Sequence, residues 1–168
     1  METNTLPHYH DSDNETGCCP RFDPAGWGGR TLHFRDKKFL RAETHGVMHI
    51  PLNIGQVFRR VETHVQDAGG WDKDDMIVLS RDMTALKAEH LFSVSRDIPN
   101  EQMITLSGDF VTKVFEGPYR EVKQWHDEME ELVQAMGHKP GRIYFFYTTC
   151  PKCAKHYGKN YVVGVAEI

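Results

Sequence analysis

The sequence predicts an α+β fold of two β-α-β-β repeats forming one antiparallel sheet, with two helices packed on one face. Three observations carry this. Apolar residues recur at helical spacing twice, as Ile54, Val57, Phe58, Val61 and Val65, and as Val122, Trp125, Met129, Leu132 and Met136. Each stripe follows a strand-like run and precedes two more. Matching elements are offset by roughly 65–70 residues, a period too long for a solenoid and suited to a duplication inside one domain.

The elements follow in order. Residues 1–30 are rich in Asp, Asn, Pro and Gly, lack periodicity and read as an N-terminal arm. Residues 31–168 read as a single domain with half-repeats at about 44–100 and 101–168. A charged, broken stretch at 32–43 leads to a strand at 46–51 that Pro51 ends. Asn53 is placed to cap the first helix and Gly69-Gly70 to stop it. Strands are expected at 76–80 and 91–95, with a loop between them. The second half opens with strands at 103–107 and 110–115 about a bend at Gly108. Pro118 suits the first turn of the second helix, whose opposite face carries Glu121, Asp127, Glu128, Glu130 and Glu131 and is solvated. Strands at 143–147 and 161–165 finish the chain.

Composition narrows the function. Of 168 residues, 39% are hydrophobic and 26% charged, which supports a globular core over disorder. A net charge of -4 argues against a nucleic-acid partner. No apolar run reaches membrane-spanning length, and the first residues lack the basic and apolar regions of a secretory signal. The expected location is the cytoplasm, where thiols stay reduced and four cysteines point to metal binding or reactivity.

At Val114-Phe115-Glu116-Gly117-Pro118-Tyr119, followed by the Val122, Trp125, Met129 helix, the chain resembles the GyrI-like family. There, a Gly-Pro-Tyr turn opens the second helix of a duplicated β-α-β-β unit. The resemblance covers residues 32–168 in element order, with Gly117-Pro118-Tyr119 as its motif match. It implies binding of small, often aromatic or cationic molecules between the halves. For some members it implies hydrolysis of strained or electrophilic compounds by a pocket glutamate. This chain has Tyr161-Val162-Val163 where that glutamate would align, so catalysis here would need another group.

The residues with chemistry concentrate in 149–159. Cys150 and Cys153 form a Cys-x-x-Cys pair that suits a metal or a disulfide, and Lys152, Lys155, Lys159 and His156 favour thiolate. Three readings stay open. Zinc would need four ligands, and beside Cys150 and Cys153 these could come from Cys18, Cys19 and His156, although adjacent cysteines rarely both reach one ion. A redox dithiol would lack its usual strand-to-helix context. A nucleophilic thiolate at Cys150 or Cys153 would use His156 as base. His49, Tyr119, Trp125, Tyr144, Tyr147, Tyr157 and Tyr161 are candidate ligand-binding residues.

The expected function is a hydrolase-like protein that binds small electrophilic or aromatic compounds in a cleft between the repeats. The alternatives are a non-catalytic binding module and a zinc-stabilised interaction protein. The expected partner is a small molecule, with no nucleic acid and no membrane.

Overall fold

The computed structural model describes residues 2–7, 12–48, 50–72 and 76–168. The elements are β1 (Thr31–Val47), β2 (Ile50–Pro51), α1 (Ile54–Asp67), β3 (Val78–Thr84), β4 (Lys87–Ser93), β5 (Gln102–Glu116), a 3-10 turn (Tyr119–Glu121), α2 (Val122–Ala135), β6 (Ile143–Tyr147), α3 (Pro151–Tyr157) and β7 (Tyr161–Glu167).

The expected fold class is corrected. The strands hydrogen-bond in the order β2-β1-β4-β3-β6-β7-β5, and β1 also pairs with β5. The six long strands therefore follow a closed antiparallel order, accompanied by three helices, and are not two β-α-β-β repeats with two helices on one sheet face. The reason is that alternation reveals which face of a strand is buried but not which strand lies beside it. β1 and β5 are 17 and 15 residues long and offer more backbone groups than one neighbour of seven residues can satisfy.

Three local expectations change with it. The charged stretch at 32–43 is part of β1, its alternation interrupted at Asp36, which has φ 49°. The supposed loop between the strands at 76–80 and 91–95 is a hairpin in which Ser80 faces His90 and Thr84 faces Lys87. The strands at 103–107 and 110–115 are one strand running through Gly108, at φ 135°.

Backbone contacts divide the chain into two compact units, one of Met1–Phe34 with Gly108–Ile168 and one of Arg35–Ser107. Residues expected to form an arm thus group with the C-terminal part of the chain. In that first unit Phe22 and Trp27 are buried against Phe146 at ring separations of 6.2 and 5.6 Å. The Thr112 hydroxyl donates to the Trp27 carbonyl. On α2, Trp125, Met129 and Val133 pack on Val111, Phe115, Ile143, Phe145, Val162 and Ala166. Trp125 stacks on Phe115 at 5.4 Å. Met136, expected on this stripe, is exposed because the helix has ended at Ala135. Gly164 sits under the helix, where a Cβ would come within 2.5 Å of Met129 Sδ, so any side chain there would push Met129 aside.

In the second unit, β4 lies between β1 and β3. The α1 stripe of Val57, Val61 and Val65 packs on Leu40, Ala42, Phe92, Val94 and Ile98. Asn53 occupies the helix cap position, but its side-chain oxygen accepts the His45 amide instead of capping. Beside this core His90 is buried, held by the Ser80 hydroxyl at Nδ1 (2.7 Å) and the Thr44 hydroxyl at Nε2 (2.9 Å). Burial pushes the His90 imidazole down to about 4, so the ring is neutral at pH 7.

Candidate metal centre

Within the first unit, folding gathers all four cysteines. Their sulfurs lie within 4.8 Å of one another, with none in a disulfide. Two chain segments supply them. In the first, a turn closed by Gly17 N–H to Asn14 O, with Gly17 at φ 67°, leads into Cys18 and Cys19. The Thr16 hydroxyl oxygen accepts the amides of Cys18 (3.2 Å) and Cys19 (3.3 Å), so the vicinal cysteines are held by a local side-chain turn. In the second, Cys150 precedes Pro151 at the start of α3, and one helical turn carries Cys153 to the same side. Gly158, at φ 76°, closes that helix.

The spacing of the sulfurs would suit one shared ion. Tetrahedral zinc with Zn–S bonds of about 2.3 Å sets its sulfurs about 3.8 Å apart. The Cys18 and Cys19 sulfurs are 3.8 Å apart. The Cys150 amide donates to Cys19 Sγ at 3.4 Å, and Thr16 Oγ1 lies 3.3 Å from Cys153 Sγ. That hydroxyl, aided by Cys150 and the Cys19 backbone, draws the Cys153 thiol down to about 6. Burial moves Cys19 the opposite way.

The other candidates scatter. His156 is not among the clustered ligands; its Nε2 lies 3.0 Å from Glu15 Oε2. The Cys153 sulfur that it would activate as base belongs to a residue with 0% exposure. Tyr157 donates to the Cys19 carbonyl at 2.6 Å, and Tyr119 donates to the Thr149 carbonyl at 2.6 Å. Burial pushes the Tyr119 phenol up to about 12, which keeps it a donor. Trp125 and Tyr144 are buried in the core, and Tyr147 is partly exposed beside Tyr119. His49 lies outside the described residues.

Next to the thiols is an open cleft of 460 Å³. Phe22, Tyr157 and Tyr161 give it aromatic walls, and Arg21 and Lys159 give it cations. The Arg21 guanidinium sits 4.5 Å over the Tyr157 ring and pairs with Asp13 and Glu15. The Thr149 hydroxyl, on a residue 6% exposed, has no hydrogen-bond partner among the described residues. Sequence reading missed Arg21, Phe22 and Thr16. Thr16 carried one signal, a hydroxyl residue two positions before Cys18, and the other two carried none.

A family model described as Bacterial hydrolase matches residues 9–168. The chain belongs to this bacterial hydrolase family. The match runs through both pairs of cysteines and both walls of the cleft. No curated protein matches the chain. No helix among the described residues is long and apolar enough to cross a membrane.

Proposed function

We propose that this hydrolase-family protein binds one zinc ion through Cys18, Cys19, Cys150 and Cys153, and that the ion is structural. The observation that carries this reading is the convergence of four sulfurs within 4.8 Å from two distant segments. Four thiolates close the coordination sphere and leave no position for the water that a catalytic zinc activates. Lys152 and Lys155, which flank Cys153 in sequence, offset the negative charge of a tetrathiolate. Burial of Cys153 and the pairing of His156 with Glu15 weigh against a thiolate nucleophile.

The role of the ion in this reading is to hold the cleft together for a small-molecule ligand. Phe22, Tyr157 and Tyr161 favour a small aromatic compound, and the hydrolase family favours an electrophilic one. The ligand, with no nucleic acid or membrane partner, and a reducing compartment such as the cytoplasm are parts of the same proposal.

The test is elemental analysis of protein purified under reducing conditions without added metal. One zinc per chain is expected. A strong chelator should then expose the thiols to alkylation and lower the thermal midpoint. Protein that has no zinc, takes up none, and alkylates at the rate of free thiols would overturn the reading.

A further inference from the structure

The cleft and the thiol cluster are built from the same two stretches of chain. Ser12, Asp13 and residues 21–24 form one wall of the cleft, and residues 148–161 supply the other. Cys18 and Cys19 lie in the first stretch, Cys150 and Cys153 in the second. Any ion held by all four sulfurs is therefore a tie between the walls. The remaining polar ties among the described residues include the Tyr157 hydroxyl on the Cys19 carbonyl and the solvent-accessible His156–Glu15 pair.

The four sulfurs differ in access. Cys18 is exposed, Cys19 and Cys150 are partly buried, and Cys153 is buried. Zinc-bound cysteines are all thiolates, so access decides which meets an oxidant first, and oxidation becomes reversible when a second thiol stands close enough to resolve the product. Here the accessible Cys18 sulfur has the Cys19 sulfur 3.8 Å away on its own wall of the cleft.

We infer that the cluster is a peroxide-responsive latch on the cleft: oxidation starting at Cys18 expels the zinc ion and frees the wall formed by residues 12–24. The inference rests on the zinc-binding reading above. The oxidant is hydrogen peroxide or an organic peroxide. The Cys18 thiolate attacks one peroxide oxygen, so an S–O bond forms, the O–O bond breaks, and the departing hydroxide or alkoxide takes a proton. The Cys19 thiolate, its sulfur 3.8 Å from that of Cys18, attacks the resulting sulfenic sulfur, forming a disulfide within the one wall and expelling hydroxide, which is protonated to water. With hydrogen peroxide, two thiolates, two protons and one peroxide give one disulfide and two waters. Two electrons pass from sulfur to oxygen, and the zinc ion does not change oxidation state. An ion left with two thiolates has lost half its ligands and dissociates. A dithiol reductant with zinc reverses the sequence.

This device would lower hydrolase activity under oxidising conditions without touching a group that contacts substrate. Arg21 is the structural reporter. It lines the cleft, pairs with the Asp13 and Glu15 carboxylates and is followed by Phe22, so trypsin can cut there once the wall loosens.

The experiment uses the full chain loaded with zinc. Hydrogen peroxide is titrated while released zinc is read with a chromogenic chelator, thiols are mapped by differential alkylation and mass spectrometry, and tryptic cleavage after Arg21 is timed. The expected result is one zinc released per disulfide formed, with the first disulfide joining Cys18 to Cys19. Cleavage after Arg21 should accelerate on the order of tenfold, reversed by reductant plus zinc. Zinc retained under excess peroxide, a first disulfide other than Cys18–Cys19, or zinc release with no change in cleavage would each overturn the latch. Protein that holds no zinc before peroxide is added fails the metal-binding reading instead, so the two failures are distinguishable.

Discussion

Replacing the most exposed cysteine should cost as much stability as replacing the most buried one. In a metal-free protein the two changes would differ. Cys18 is exposed, and Cys18→Ala would fall within about 0.5 kcal/mol of wild type. Cys153 is fully buried, and Cys153→Ala would cost about 1 kcal/mol of lost sulfur packing. If the four sulfurs hold zinc, each change removes one of four ligands and with it most of the binding free energy that favours the folded state. At free zinc about a thousandfold above its dissociation constant, that linkage amounts to about 4 kcal/mol. Both variants should then lose about 3 kcal/mol or more, a fall on the order of 10 °C in the midpoint of the first unit. Trp27 and Trp125 lie in that unit and Trp71 in the other. Tryptophan fluorescence in a Trp71→Phe background therefore reports the first unit during urea or thermal unfolding. The decisive comparison is Cys18→Ala against its parent in reductant, with and without zinc. A Cys18→Ala variant as stable as its parent in the presence of zinc would refute the reasoning, whatever Cys153→Ala does.

The remaining predictions concern other parts of the same framework. The His90 imidazole has a folded value of about 4, below its ordinary 6.5. It binds its proton more readily when unfolded, so its contribution is complete above pH 6.5 and is lost as the pH falls from 6.5 to 4. Urea midpoints at pH 7 and pH 4.5 should show a loss of about 2–3 kcal/mol that His90→Asn largely removes; equal pH dependence in the two proteins would contradict it. Gly164→Ala should cost about 1–3 kcal/mol by pushing on Met129, and Met129→Ala in the same chain should relieve part of that penalty in a double-mutant cycle. Tyr157→Phe removes the hydrogen bond to the Cys19 carbonyl and should lower the midpoint by the equivalent of about 1 kcal/mol while elemental analysis still finds one zinc per chain.

The sequence by itself determined the two amphipathic helices, because the spacings through Val57, Val61 and Val65 and through Trp125 and Met129 are local and each stripe has one way to be buried. The Cys-x-x-Cys spacing also placed Cys150 and Cys153 together, although the residues that form α3 read as a loop. Most of the strands were legible for the same reason, as apolar runs bounded by turn residues. The hairpin after Ser80 was not legible, because Arg81, Asp82 and Lys87 are exposed or partly exposed and carry no apolar signal. Strand order, the grouping of Met1–Phe34 with Gly108–Ile168, and the meeting of Cys18 and Cys19 with the second pair were decided only by tertiary structure. Each joins residues far apart in the chain, and no spacing rule extends that far. The cost of closing such long loops is recovered by burying Phe22 and Trp27 and by pairing β5 with β7, contacts that exist only once the whole unit has formed.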